Sequence, residues 1–598
     1  MLKRISLFIG LIILSLGCTS SQKPIDELFE EYYQDQIRFN PIESTTAGDT
    51  EYNDVLPNFI SDEYIEEQLA SFNKYETAFS AYKDEDLTET QAIARDVLLW
   101  EVRSRTAGLE ANLTLIKSPL FGLPAFKLIP INQIFSLHLY MGQLGSGSSA
   151  QPFKTVEDYE NWLERMDDYF AFLDTSISNM RDGIDKGIVH PKVIVEKMIP
   201  QLDPFINNSL EEHLFFGPIV NIPDEFSNEE KEQLSASYAA MIQDKFIPKY
   251  RELQNFLRNE YLPAARETAG IMHLPGGRET YDVLIRQHTS TNMTADEIHE
   301  LGLSEVARIE SEMIKIKDQI GFKGDLKAFF DHVRTSKEQM PFTKPEQVIA
   351  NFEAMHETMK PQIEKLFDKK PKAGFVVRRT EAFREASASA EYNTGSKDGS
   401  RPGVFYVPIP DVTSYNKYSD ESLFLHEAIP GHHYQLSLQQ ENESLPSFMH
   451  TEGLGVYVEG WALYCESLGK ELGLYTDPYQ EFGMLGAEMH RAIRLVVDTG
   501  MHAKGWTREE AIQFSKDHEA ESEAAIISEI ERYMIAPGQA LSYKIGQLKI
   551  LELRKRANDA LGDNFDIREF HNQVLGTGSL PLEVLEKKID RWIASQNE

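Results

Sequence analysis

The chain reads as a mainly α protein with one small patch of β-structure. Three observations carry that reading. Long charged segments hold apolar residues at three- and four-residue spacing over most of the length. Helix starts recur, as at Thr294-Ala295-Asp296-Glu297, a threonine cap with acids in the first turn. β-branched and aromatic runs are concentrated between 372 and 410.

At the N-terminus, Lys3 and Arg4 precede an apolar run from Ile5 to Gly17, thirteen residues long and too short to span a bilayer. Ser15-Leu16-Gly17-Cys18 resembles a bacterial lipobox, which implies a signal peptide over 1–17 and a lipid anchor on Cys18. A tether runs to residue 24. The expected address is the bacterial cell envelope, anchored at the outer membrane or on a periplasmic face; a plain secretory signal is the alternative. No later apolar run is long enough to cross a membrane. Cys465 is the only other cysteine, so an acylated Cys18 leaves no intrachain disulfide and the fold must rest on its core.

With 598 residues the chain can build large cores, and its net charge of −35 argues against nucleic acid or anionic lipid surfaces as partners. The first helical group covers 26–36, 60–82, 157–186, 229–262 and 295–320, with a Gly/Ser/Pro-rich break at 142–152. No fixed period recurs, so a solenoid is not expected. Phe375-Val376-Val377 and Val404-Phe405-Tyr406-Val407 predict a small sheet. Helices resume over 452–472, 478–503, 507–533 and 537–560.

Between sheet and later helices lies Leu423-Phe424-Leu425-His426-Glu427-Ala428-Ile429-Pro430-Gly431-His432-His433. Zinc hydrolases of the H-E-x-x-H type set two imidazoles one helical turn apart, with a glutamate beside the first as general base. Here the spacing is six or seven, about 9 to 10.5 Å on an unbroken helix, too far to share one ion. Pro430 cannot donate the amide hydrogen a helix needs, and Gly431 tolerates unusual backbone angles. A two-residue bulge would bring His432 to the metal; a three-residue bulge would bring His433. Pro430 and Gly431 account for the smaller bulge, which favours His432 and leaves His433 to orient substrate or a carboxylate. An ordinary helix with hydrogen-bonded histidines is the plainer alternative.

Val458 to Glu466 begins twenty-six residues after His432. Glu459 is placed to complete three ligands on one Zn2+ ion, leaving a position for water. Glu466, two turns further along the same face, is a candidate partner for a ligating imidazole. The strand at 404–407, with Phe405 and Tyr406, is the candidate edge along which an extended peptide would lie, a purely structural ribbon being the alternative. Arg491 and Arg494 share a helix with Asp498 at four-residue spacing, which predicts internal ion pairing.

His426-Glu427-Ala428-Ile429-Pro430-Gly431-His432-His433 and Glu459-Gly460-Trp461-Ala462-Leu463-Tyr464 together resemble the bacterial family filed as domain of unknown function 885. So do Asp498-Thr499-Gly500-Met501-His502, Gly505-Trp506-Thr507, and the run from Pro537 to Gly546. The likeness reaches upstream to Asp296-Glu297-Ile298-His299 and covers most of the mature chain. That family is similar in turn to helical glutamate-type zincins such as carboxypeptidase Taq and the thimet oligopeptidases. The resemblance implies a large helical zincin-like metallopeptidase body with a deep cleft and a small β-sheet beside the metal helix. It also implies that Tyr543 stands where those enzymes carry an oxyanion-binding tyrosine, with Tyr533 and His502 as weaker candidates.

The expected organisation is an N-terminal helical region over 25–320 and a catalytic region over 321–598, forming one continuous body. The expected function is zinc-dependent hydrolysis of peptide bonds in exported or environmental peptides, with Glu427 as base. The alternative is a helical, lipid-anchored surface protein that captures nutrients without catalysis. Peptide preference, exo- or endo-action and oligomeric state are not written in the sequence.

Overall fold

The computed structural model describes residues 23–117, 124–381, 385, 388–451 and 453–596. The lipobox and Cys18 lie outside them. Among the described residues no helix is long and apolar enough to cross a membrane.

Helices dominate, and their ends follow local chemistry. β1 (Leu115–Lys117) and β2 (Pro124–Phe126) pair as a two-stranded antiparallel sheet. α1 (Val156–Lys186) starts on a capping box in which Thr155 and Asp158 satisfy each other's backbone N–H. The stretch predicted as one helix at 229–262 is helical throughout, but two of its turns widen into π-helix, Met241–Phe246 and Leu257–Tyr261. Each precedes a proline, Pro248 and Pro263, whose missing N–H and bulky ring an α-turn accommodates poorly. α2 (Ala295–Ile320) opens on the predicted Thr294–Glu297 box.

α3 (Pro345–Leu366) leads into a three-stranded sheet of β3 (Phe375–Arg379), β4 (Glu391–Asn393) and β5 (Gly403–Val407). The strand order is β3-β5-β4, with β5 parallel to β3 and antiparallel to β4. This corrects the expectation for 404–407: β5 is the central strand, both of its edges are paired, and it cannot receive a substrate strand. Phe405 is fully buried against Phe352 of α3, so it belongs to the core and not to a binding surface; Tyr406 is half-buried.

Beyond the sheet come α4 (Asp420–Glu427), α5 (His432–Glu441), α6 (Gly455–Glu466), α7 (Pro478–Lys504) and α8 (Ser542–Leu561). The segment expected as one helix at 507–533 is two, Arg508–His518 and Glu523–Ile535. The buried apolar side chains form one continuous core from Ile25 to Trp592, and α2 packs along α7 across the 320/321 line.

Candidate metal centre

α4 ends because two consecutive positions, Pro430 and Gly431, refuse to continue it. The Ala428 N–H still reaches the Phe424 carbonyl at 3.0 Å, but Pro430 has no N–H to give. A Cβ at Gly431 would stand 1.9 Å from the His426 carbonyl oxygen and 2.4 Å from that of Leu425, so only glycine fits. The chain turns through 428–431 and restarts as α5 at His432, with the Gln435 N–H on the Gly431 carbonyl. The expected bulge in a single helix is therefore a complete break. Trp461 Nε1–H holds the turn from outside, donating to the Pro430 carbonyl at 2.9 Å.

The break folds the second imidazole back. The rings of His426 and His432 lie edge to face with centroids 4.7 Å apart. Glu459 approaches from α6, its Oε2 3.4 Å from His426 Nε2 and 3.7 Å from His432 Nε2. One donor atom from each of the three lies within 4.8 Å of the others. Glu459 reaches this point because α6 crosses α8 backbone to backbone. A Cβ on Gly460 would lie 2.5 Å from the Cα of Gly546, and one on Gly546 would lie 2.0 Å from the Val456 carbonyl oxygen.

Around the three, Glu466 accepts a 2.8 Å hydrogen bond from His426 Nδ1–H and a 2.5 Å one from the Ser422 hydroxyl. That fixes the orientation of the His426 ring and turns its Nε2 toward Glu459 and His432. Burial works against a charged His426, yet hydrogen bonds to Glu459 and Glu466 outweigh it and raise the imidazole to about 10. Burial lowers His432 to about 4, with the His426 charge adding to the effect. Burial raises Glu427 to about 7; the His426 charge pulls it back and the Glu459 charge pushes it up.

His433 goes elsewhere. Adjacent residues on a helix project about 100° apart, and its ring packs on Phe375 of β3 while Nδ1 meets the Tyr392 hydroxyl of β4 at 2.8 Å. Tyr543, at the start of α8, is half-buried with the Arg494 guanidinium 4.4 Å and that of Arg491 5.9 Å from its ring centre. Burial raises its phenol, and the Glu459 carboxylate adds to the rise.

The weaker candidates have structural duties. Tyr533 accepts from Arg494 and donates to Glu529; His502 accepts from the Ile271 N–H and donates to the Tyr533 carbonyl. The ion pairing expected within α7 is absent. Asp498 accepts from the Tyr281 hydroxyl and the Gly538 N–H, whereas Arg494 pairs with Glu529. Both tertiary partners outcompete the local spacing. Sequence reading missed Ser422 and the Trp461 clamp. Ser422 carried a signal, lying one turn before His426 on the same face.

The family described as "Bacterial protein of unknown function (DUF885)" matches residues 41–589. Among solved structures the chain is similar to "the putative lipoprotein from Colwellia psychrerythraea", with 28% identity, a TM-score of 0.86, and coverage of 96% of this chain and 99% of that one. A "putative lipoprotein of unknown function from Shewanella oneidensis" shares the fold at 19% identity and a TM-score of 0.68, over 94% of this chain and 99% of that one. No curated protein matches the chain.

Proposed function

The chain belongs to the bacterial DUF885 family, and from that premise we propose that it is a zinc-dependent peptidase acting on exported or environmental peptides. The observation that carries the reading is the convergence of His426 Nε2, His432 Nε2 and Glu459 Oε2. Two ligands at about 2.05 Å from a tetrahedral ion stand about 3.3 Å apart. The separations of Glu459 Oε2 from His426 Nε2 and His432 Nε2, 3.4 and 3.7 Å, lie near that figure. Two imidazoles and one carboxylate also leave a fourth position for water or substrate.

A zinc ion held there would acidify water and polarise a peptide carbonyl. The protein's own groups do the rest. Glu466 and Ser422 keep the His426 lone pair aimed inward. Glu427, buried and with its carboxyl near neutrality, takes a proton from the attacking water and returns it to the leaving amine. The Tyr543 hydroxyl donates to the oxyanion, helped by two guanidinium groups beside its ring. In this reading an extended substrate lies along β4, in a cleft beside the metal helix. Among the described residues the outer edge of β4 has no strand partner, and the charge of Glu391 on it reaches Glu427. The His433–Tyr392 hydrogen bond braces that strand from behind.

Cys18 and the lipoprotein description of a 28%-identical relative support a lipid anchor in the cell envelope. Cys18→Ala protein should leave the membrane and keep its activity.

The test is metal analysis of purified protein, followed by a peptide-library digest read by mass spectrometry. Glu427→Gln should retain one zinc and lose turnover by about 10²- to 10⁴-fold. A chain that holds no zinc after dialysis yet binds peptides fully would turn the reading to nutrient capture.

A further inference from the structure

Arg491 lies on α7 beside the centre, its guanidinium 5.9 Å from the Tyr543 ring centre, and its charge is felt by Glu427, His432 and Glu459. Yet it is nearly unbonded. Among the described residues its one hydrogen bond runs from Nη1 to the Ala487 carbonyl at 3.3 Å, and its Nε is buried with no partner. Among the described residues no carboxylate stands within ion-pairing distance of it. Arg494, one turn on, is the contrast: it is bonded to Glu529 at 3.0 Å, Tyr533 at 2.9 Å and His490 at 3.1 Å.

A guanidinium carries five N–H donors in a planar fork that matches a carboxylate in two parallel bonds. Leaving a buried donor unmade is costly, so this geometry calls for an acceptor. Its charge lowers Glu427 and Glu459 through space, but that interaction leaves its buried Nε–H without an acceptor. A carboxylate brought by the ligand satisfies both observations.

Resting on the peptidase reading above, we propose that Arg491 receives the free α-carboxylate of a peptide, so that the enzyme removes residues from the C-terminus. The distance suits this. The terminal carboxylate is one residue, about 3.8 Å, beyond the scissile carbonyl, and Tyr543, the oxyanion donor, is the residue Arg491 flanks. The step balances as ordinary hydrolysis. Water oxygen bonds to the penultimate carbonyl carbon, the C–N bond breaks, and the water protons end on the new carboxyl and the departing amine through Glu427. The products are the shortened peptide and a free amino acid. Arg491 is not consumed; it binds and orients.

The experiment uses zinc-loaded, full-length Glu427→Gln protein, in which binding is measured without turnover. An acetylated alanine-rich peptide with a free C-terminus is compared by calorimetry with its C-terminal amide and with an amide ending in glutamate. The free acid should bind about 30-fold or more tightly than either amide. Arg491→Met in the same background should erase that preference while zinc content and melting temperature stay unchanged, and Arg491→Lys should restore part of it. Wild-type protein should release single residues from the free acid and leave the amide intact. Equal binding of acid and amide, or a preference that survives Arg491→Met, overturns the proposal. Tight binding of the glutamate amide overturns it in favour of an acidic side-chain pocket. If wild type cleaves neither peptide while the Arg491-dependent preference holds, the peptidase reading falls and the carboxylate site stands.

Discussion

Tyr543 and Lys544 are neighbours on α8, and they look into two different polar clusters. Lys544 is fully buried, its Nζ 2.6 Å from Glu488, 3.0 Å from Glu305 and 2.7 Å from Gln547, while Arg308 bonds both acids. Two cations meet two anions and every charge has its counterpart within the chain. Tyr543 looks toward His426, His432 and Glu459, where the His426 imidazole, raised to about 10 by Glu459 and Glu466, supplies the one proton between three groups that would otherwise turn lone pairs on one another. The first cluster is an internal solution to burying charge; the second closes on a single imidazole proton, at the point where a shared cation would fit. The difference separates a structural network from a cation site better than residue type does, since both hold buried acids.

That comparison can be broken in four ways, from large effects to small. Glu459→Gln should abolish zinc retention on dialysis, because an amide oxygen is a much poorer ligand than a carboxylate, while melting in chelator shifts little. Lys544→Met should do the reverse. It leaves two buried acids sharing Arg308 alone and should cost about 3 kcal/mol in denaturant unfolding, with the zinc content of the folded fraction unchanged. If both variants lost zinc and stability alike, the two clusters would be one structural unit. A smaller effect is expected of Glu466→Gln, where zinc affinity measured by chelator competition should fall about 10- to 100-fold. The least is expected of His433→Ala, which removes a brace on β4 and should leave zinc affinity within about threefold; loss of the metal there would exchange the roles of His432 and His433.

Much of the frame was legible in the sequence because it is local. The Thr294–Glu297 capping box, the Pro430–Gly431 break and the two-turn spacing of Glu459 and Glu466 are decided within a few residues. What was misread depends on distant partners. The four-residue spacing of Arg494 and Asp498 yields to Glu529 and Tyr281, which only the tertiary fold brings near. The central position of β5 comes from pairing Phe375 with Gly403 across a crossover. A sign of it was nonetheless present. Val404 to Val407 is apolar without alternation, as a strand covered on both faces should be.

The Gly460–Gly546 crossing has one more consequence, for motion. Side chains that separate two helices can change rotamer and let them slide; two backbones in contact have nothing left to yield. Glu459 and Tyr543 are therefore carried on a single stiff piece. The hydrogen bonds that tie the histidine segment to that piece come from side chains, Trp461 to the Pro430 carbonyl and Glu466 to His426. The carboxylate and the phenol thus share one reference frame, against which the position of the two imidazoles is set.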